Sequence, residues 1–314
     1  MSNKKNKKQK VFITFDDQIN YLKNNKNLII NDEKYAREML KRTCYYSLIV
    51  GYREIFKDKE TGNYKEGTKF EDIVKLYHFD EELRAVFLEY IFRVEDQIRS
   101  LVSYYFCEKH GEQQAEYLNP TNYNLTAQNK HEIDTMVHIL SNLANKSTDY
   151  ESIIHAREKH KNVPLWILVT GMTFGNIYKM YSFLTADLKN KITNAYVSLT
   201  PDELGQLLAV VSKFRNVCAH RERLFTYQAN KSIPDMPIHQ LLNIEKNENG
   251  EYKYGKNKLY SVVISMYYLL PEETFLEFRS KLCVLLNRFL IIDKIYPEPE
   301  LLDLIGFPPN WHEI

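Results

Sequence analysis

The chain has 314 residues, 44% of them hydrophobic, with only 10 Gly and 10 Pro. That supplies apolar material for a sizeable core, and it is too poor in turn formers for an all-β sandwich or barrel, so long helices are expected. The net charge is +1, and no G-x-G-x-x-G, Walker A, H-E-x-x-H or G-x-S-x-G string occurs, which removes the commonest sequence-readable enzyme classes.

Charge is uneven along the chain: residues 1–30 carry seven Lys and two Asp. The opening "MSNKKNKKQK" has neither the apolar core of a signal peptide nor the Arg/Ser pattern of a transit peptide. It reads as a disordered basic arm over residues 1–11, a solubilising tail or a weak electrostatic contact for nucleic acid. Residues 12–314 are expected to form a single all-α domain.

Residues 16–56 read as two helices joined by polar "NNKN" and "NDE". The second starts near Asn31 and buries Ala36, Leu40, Tyr45 and Leu48. Gly62 and Gly67 mark a loop. In "FDEELRAVFLEYIFRVEDQIRSLVSYYF" the apolar residues from Phe79 to Tyr105 step by three and four, so this is an amphipathic helix. Arg93, Glu95, Asp96 and Arg99 lie mainly off that stripe and read as solvated charge. A loop through "YLNPTNYNLTAQN" leads into the helix "KHEIDTMVHILSNLAN". Pro164 opens another helix, interrupted around Gly171 and Gly175, where glycine suggests close packing or a kink.

In "SLTPDELGQLLAVVSKFRNVCAH", Thr200 is the N-cap, Pro201 the first helical residue and Glu203 the third, a capping box. The helix should run from 201 to about 219 and bury Leu204, Leu207, Leu208, Val211, Phe214 and Cys218. "SIPDMP" is a loop, and "NENGEYKYGKNK" leaves room for one small β-hairpin. Two more helices, "LYSVVISMYYLL" and "EETFLEFRSKLCVLLNRFLII", precede a short C-terminal segment.

Four cysteines, at 44, 107, 218 and 283, are too dispersed for a zinc site or a disulfide framework and fit buried thiols in a reducing cytoplasm. No segment approaches the ~18 apolar residues of a membrane span, so a cytoplasmic protein without a membrane partner is expected. The 23 Tyr read as residue usage, and none is assigned to a site.

The chemistry concentrates in "FRNVCAHRERLF". Asn216 and His220 are four apart and share one face of a helix. Arg215 lies about 40° from Val211 on the helical wheel, beside the apolar stripe, where a guanidinium is costly unless paired. Its candidate partners are a carboxylate such as Glu95 and a phosphate. An imidazole can move protons near neutral pH, an arginine can clamp a phosphate, and an amide can orient either. These are the groups for cleaving a phosphodiester in RNA without metal or cofactor. One His and one Arg are few for acid and base together. Two chains facing across a two-fold axis would double them.

The string R-N-x-x-x-H at a helix end resembles the motif of the HEPN ribonuclease superfamily. Together with "CYYSLIVGYREIF", "FEDIVKLYHFDEELR", "IFRVEDQIRS" and "VPLWILVTGMTFG", in that order, it resembles the Abi-like (AbiD/AbiF-type) abortive-infection proteins from about residue 12 to 290. The resemblance implies a HEPN-type helical bundle with additional helices, a homodimer with a composite site, and an endoribonuclease that leaves 2′,3′-cyclic phosphate ends. It also implies a toxin-like part in phage defence. Arg215 and His220 then take the catalytic positions, with Asn216 as their polar companion; from the residues themselves, Lys213, Arg221 and Arg223 read as a positive rim for the RNA, and Glu95 and Arg99 as groups standing behind the site. A structured noncoding RNA inhibitor or guide is a further expected partner, and a non-catalytic module that grips such an RNA is the alternative. Cys44 departs from the Asn expected at its place in relatives.

Overall fold

A computed structural model describes residues 11–146, 148–293 and 297–314, so the basic arm falls almost wholly outside the described residues. Among them the chain is helical, with no named strand. In place of a hairpin in residues 247–258, a turn is closed by one isolated antiparallel bridge between Lys246 and Tyr252. The described residues fall into two compact units, within Met1–Glu81 with Ile291–Ile295 and within Glu82–Leu290 with Tyr296–Ile314. The boundary falls inside the helix Phe70–His110.

In the first unit, helix Phe15–Lys26 starts at a Thr14/Asp17 capping box and packs on helix Glu33–Arg42, burying Ile19 and Leu22 with Ala36, Met39 and Leu40. The single helix expected from Asn31 onward is broken. Thr43 is extended and ends it, a π-helical turn Tyr46–Val50 follows, and α-helix resumes over Gly51–Phe56. The break has a local cause: the Cys44 thiol accepts the Ser47 amide N–H at 3.4 Å and starts a new turn, as an Asn carbonyl would at an N-cap. Tyr45 is consequently half-buried, whereas Ala36, Leu40 and Leu48 are core.

The helix of 41 residues that carries the amphipathic stripe starts nine residues before Phe79, in the first unit, and continues into the second. Asp72 caps the Lys69 amide at 2.9 Å, and Phe70, Ile73, Val74 and Leu76 extend the buried face into a stretch whose polar residues had hidden it. Helix Lys130–Asn145 has the expected bounds, while Glu151–His160 and Ala186–Thr193 are helices without a strong apolar period in sequence. After Pro164 the chain makes one helical turn, Leu165–Leu168, then a 3₁₀ turn, and restarts at Thr173 as helix Phe174–Phe183. Only one of the two glycines there is required by packing. A Cβ on Gly171 would meet Ile153 Cδ1 at 2.8 Å, whereas one on Gly175 would find ordinary space.

The centre of this unit is helix Pro201–Ala219, begun by the Thr200/Glu203 capping box and Pro201. It packs against helices Phe174–Phe183, Ala186–Thr193 and Leu259–Leu269. All six expected stripe residues are buried, and so are Val210 and Val217, at roughly 1.5–3 kcal/mol for each large side chain. Phe214 meets Tyr227 edge to face, centroids 4.9 Å apart. Helices Glu272–Asn287 and Glu298–Ile305 follow, and the C-terminal segment is ordered, with Phe307 and Trp311 buried. No helix among the described residues is long and apolar enough to cross a membrane.

The thiols are free but not uniformly buried, which corrects the reading from composition: Cys218 is buried, Cys107 and Cys283 half-buried, and Cys44 exposed. Its hydrogen bonds with Ser47 hold the Cys44 thiol below its usual range, while burial pushes Cys107 and Cys283 up. Cys44 should therefore be the first thiol labelled by maleimide near pH 7, because more of it is thiolate at a given pH; peptide mass mapping of a partly labelled sample checks the order. Cys44→Asn should keep the turn and change stability by less than about 1 kcal/mol.

Candidate functional site

Arg215 is held from behind. Its Nε donates to Glu95 Oε2 at 3.2 Å; the Glu95 side chain is 1% exposed and that of Arg215 23%. Arg99, one turn along the long helix, donates Nη2 to the other oxygen of Glu95. The same nitrogen donates to the Met172 carbonyl at 2.6 Å, and the Arg99 side chain is 21% exposed. Glu95 and Arg99 are thus not the solvated pair that their place off the stripe suggested. They form a buried carboxylate bridged by two guanidiniums. The Arg215 guanidinium also sits 5.7 Å from the centroid of the Phe92 ring, a cation–π contact.

That arrangement leaves Arg215 with work to do. A guanidinium has five N–H donors, and Glu95 takes the one on Nε; among the described residues the Nη atoms of Arg215 have no hydrogen-bond partner. Two cations around one carboxylate also leave a residual positive charge at the half-exposed end of the pair.

Asn216 and His220 lie on the outer face. His220 is the C-cap, its amide N–H returning to the Asn216 carbonyl at 2.9 Å. Both are exposed, and neither side chain makes a hydrogen bond among the described residues. Lys213, also exposed, shares that face at a spacing of three and seven. No hydrogen bond among the described residues links the Arg215 side chain to either neighbour, since Arg215 leaves the helix on another side.

The end of the helix is fixed by its turn. Arg221 takes the left-handed conformation, φ 55°, and donates to the Cys218 carbonyl at 3.2 Å while the Glu222 amide donates to Val217 at 3.0 Å. This is the paired closure of a Schellman motif, with Arg where Gly is usual. Arg221 and Arg223 are exposed. Arg84, 5% exposed on the long helix, donates Nη1 to the Glu222 carbonyl at 3.2 Å and anchors the turn. Arg84 and Phe92 were not singled out in the sequence. A charged residue directly beside Leu83 of the stripe was the available sign for Arg84; nothing marked Phe92.

Compared with known proteins, the chain matches the model of the family described as "Abi-like protein" over residues 38–226. Neither the curated proteins nor the solved structures compared with it give a match.

Removing the bridging carboxylate would leave two partly buried guanidiniums facing each other. Glu95→Ala is expected to cost about 3–5 kcal/mol in urea unfolding, and Arg215→Ala clearly less, since Arg99 still satisfies Glu95. Equal losses would mean that Glu95 does not join the two.

Proposed function

This chain belongs to the Abi-like protein family, and on that footing we propose that it is an abortive-infection effector of phage defence that cleaves RNA with Arg215 and His220. The observation that carries the reading is Arg215 itself. An arginine oriented by the buried Glu95 and its partner Arg99, with no hydrogen-bond partner on its terminal nitrogens among the described residues, stands on the helix end that presents an exposed amide and an exposed imidazole.

The chemistry follows from the groups. An imidazole takes the proton of a ribose 2′-hydroxyl, whose oxygen attacks the adjacent phosphorus. The 5′-oxygen leaves with a proton from an acid, so the products are a 2′,3′-cyclic phosphate and a 5′-hydroxyl. Arg215 holds the non-bridging oxygens and opposes the charge gained in the transition state. In this reading the Asn216 amide, which makes no side-chain hydrogen bond to His220 among the described residues, donates to the phosphate. Lys213, Arg221 and Arg223 add a basic rim for the backbone.

Base and acid call for two imidazoles. A second copy meeting this one through the exposed face of residues 216–220 supplies the other, and the small, exposed Ala219 allows close approach. In that homodimer each cleft wall contributes one Arg215 and one His220.

Purified protein incubated with RNA in chelator should give cyclic-phosphate ends and run in light scattering with the mass of two chains. His220→Ala should slow cleavage ~10²–10⁴-fold and Arg215→Ala about 10²–10³-fold, with RNA binding retained in the former. Cleavage that persists in His220→Ala defeats the proposal. RNA bound but never cut would favour a module that only grips a structured RNA.

A further inference from the structure

A polar cavity lies wholly within the first unit, made from helix Phe15–Lys26, the π-helical turn, helix Gly51–Phe56 and the loop after it. It holds about 310 Å³, the lower end of the range for small-molecule sites. Three cations, Lys26, Arg53 and Lys57, and three phenols, Tyr21, Tyr45 and Tyr64, line it over an apolar floor of Leu22 and Ile49. The only carboxylate partner of these cations among the described residues is the exposed Glu54, 3.0 Å from Arg53 and 3.7 Å from Lys57, while Lys26 reaches the Gly62 carbonyl at 3.4 Å.

One group in the cavity is left unsatisfied. Tyr64 is 7% exposed, and its buried hydroxyl has no hydrogen-bond partner among the described residues, a condition that costs stability unless a ligand or water answers it. Burial pushes Tyr45 and Tyr64 up, so both phenols are neutral donors at any physiological pH. The walls are also pre-set. The Tyr64 amide donates to the Lys26 carbonyl at 2.9 Å, Lys65 to Phe56 at 2.8 Å and Asp58 to Asn63 at 2.8 Å, which clamp the loop. The π-helical turn beside Tyr45 and Ile49 is a rare element that is frequent at functional sites.

Cations and aromatic rings lining one cavity together with a buried donor suit an anion joined to a flat ring. We propose that this cavity binds a nucleoside phosphate: Lys26, Arg53 and Lys57 take the phosphate, the rings of Tyr21 and Tyr45 receive the base, and the Tyr64 hydroxyl donates to it. The volume admits one nucleotide. The ligand is either free or the terminal nucleotide of an RNA strand, and the chemistry is the same. The site involves none of residues 213–223 and stands apart from the cleavage reading.

Isothermal titration of the full chain with AMP, GMP, CMP, UMP and inorganic phosphate at low salt tests the proposal. At least one mononucleotide should bind about tenfold or more tightly than phosphate, since aromatic stacking is worth a factor of about five to a hundred per base. Arg53→Ala and Lys26→Ala should each weaken it about fivefold or more. Tyr64→Phe should weaken binding without lowering Tm, because it removes a hydroxyl that has no partner among the described residues. A 2′-O-methyl RNA oligonucleotide, which cannot be cleaved, separates the sources: competition assigns the site to a strand end, and no competition assigns it to a free nucleotide. The proposal is overturned if no mononucleotide binds better than phosphate, if binding ignores Arg53→Ala, or if Tyr64→Phe lowers Tm and leaves affinity unchanged.

Discussion

A carboxylate taken out of water must be paired, and Glu95 is the one that organises the candidate site. Its two oxygens are shared between Arg99 on its own helix and Arg215 on the central helix. An ion buried to this degree is costly when a partner is lost, by several kcal/mol. The two helices are thereby held in one register, which places Arg215, and the residues that follow it, relative to the long helix. The cations are only partly buried, so positive charge remains where the carboxylate's has been used up.

From that constraint comes a division of labour along six residues. Arg215 turns inward to the ion pair and offers its remaining donors at the half-exposed edge. Asn216 and His220 face outward, their side chains without a hydrogen-bond partner among the described residues. The closure of the helix by Arg221 and the grip of Arg84 on the Glu222 carbonyl keep this end from fraying. The site of one chain is thus a well-supported wall, and the proposed dimer supplies the wall opposite.

Much of this was legible in residues alone, for physical reasons. The central helix announces both of its ends, by Thr200 with Pro201 and Glu203 and by the polar run after Ala219, and its buried stripe is regular. Arg215 could be marked as needing a partner because a charge beside that stripe is expensive, and Glu95 could be named as one candidate. What periodicity could not show was depth: Glu95 sits off the apolar stripe, yet Arg215 and Arg99 carry it into the interior. The break at Thr43 and Cys44 was hidden because a thiol is not counted among capping groups. The early start at Phe70 was masked by charged residues interleaved with Ile73, Val74 and Leu76. The weakly periodic helices Glu151–His160 and Ala186–Thr193 depend on contacts distant in sequence.

The missing side chain at Gly171 reaches further than its own turn. Because nothing projects there, Ile153 and Tyr150 can lie against the backbone, and the next residue, Met172, turns its carbonyl to Arg99. A side chain at Gly171 would meet Ile153 Cδ1 at 2.8 Å and Tyr150 Cδ2 at 3.0 Å, so those side chains or the backbone beside Met172 would have to give way. The space kept open at Gly171 thus borders the carbonyl that shares Arg99 with Glu95, one residue from the network that holds Arg215.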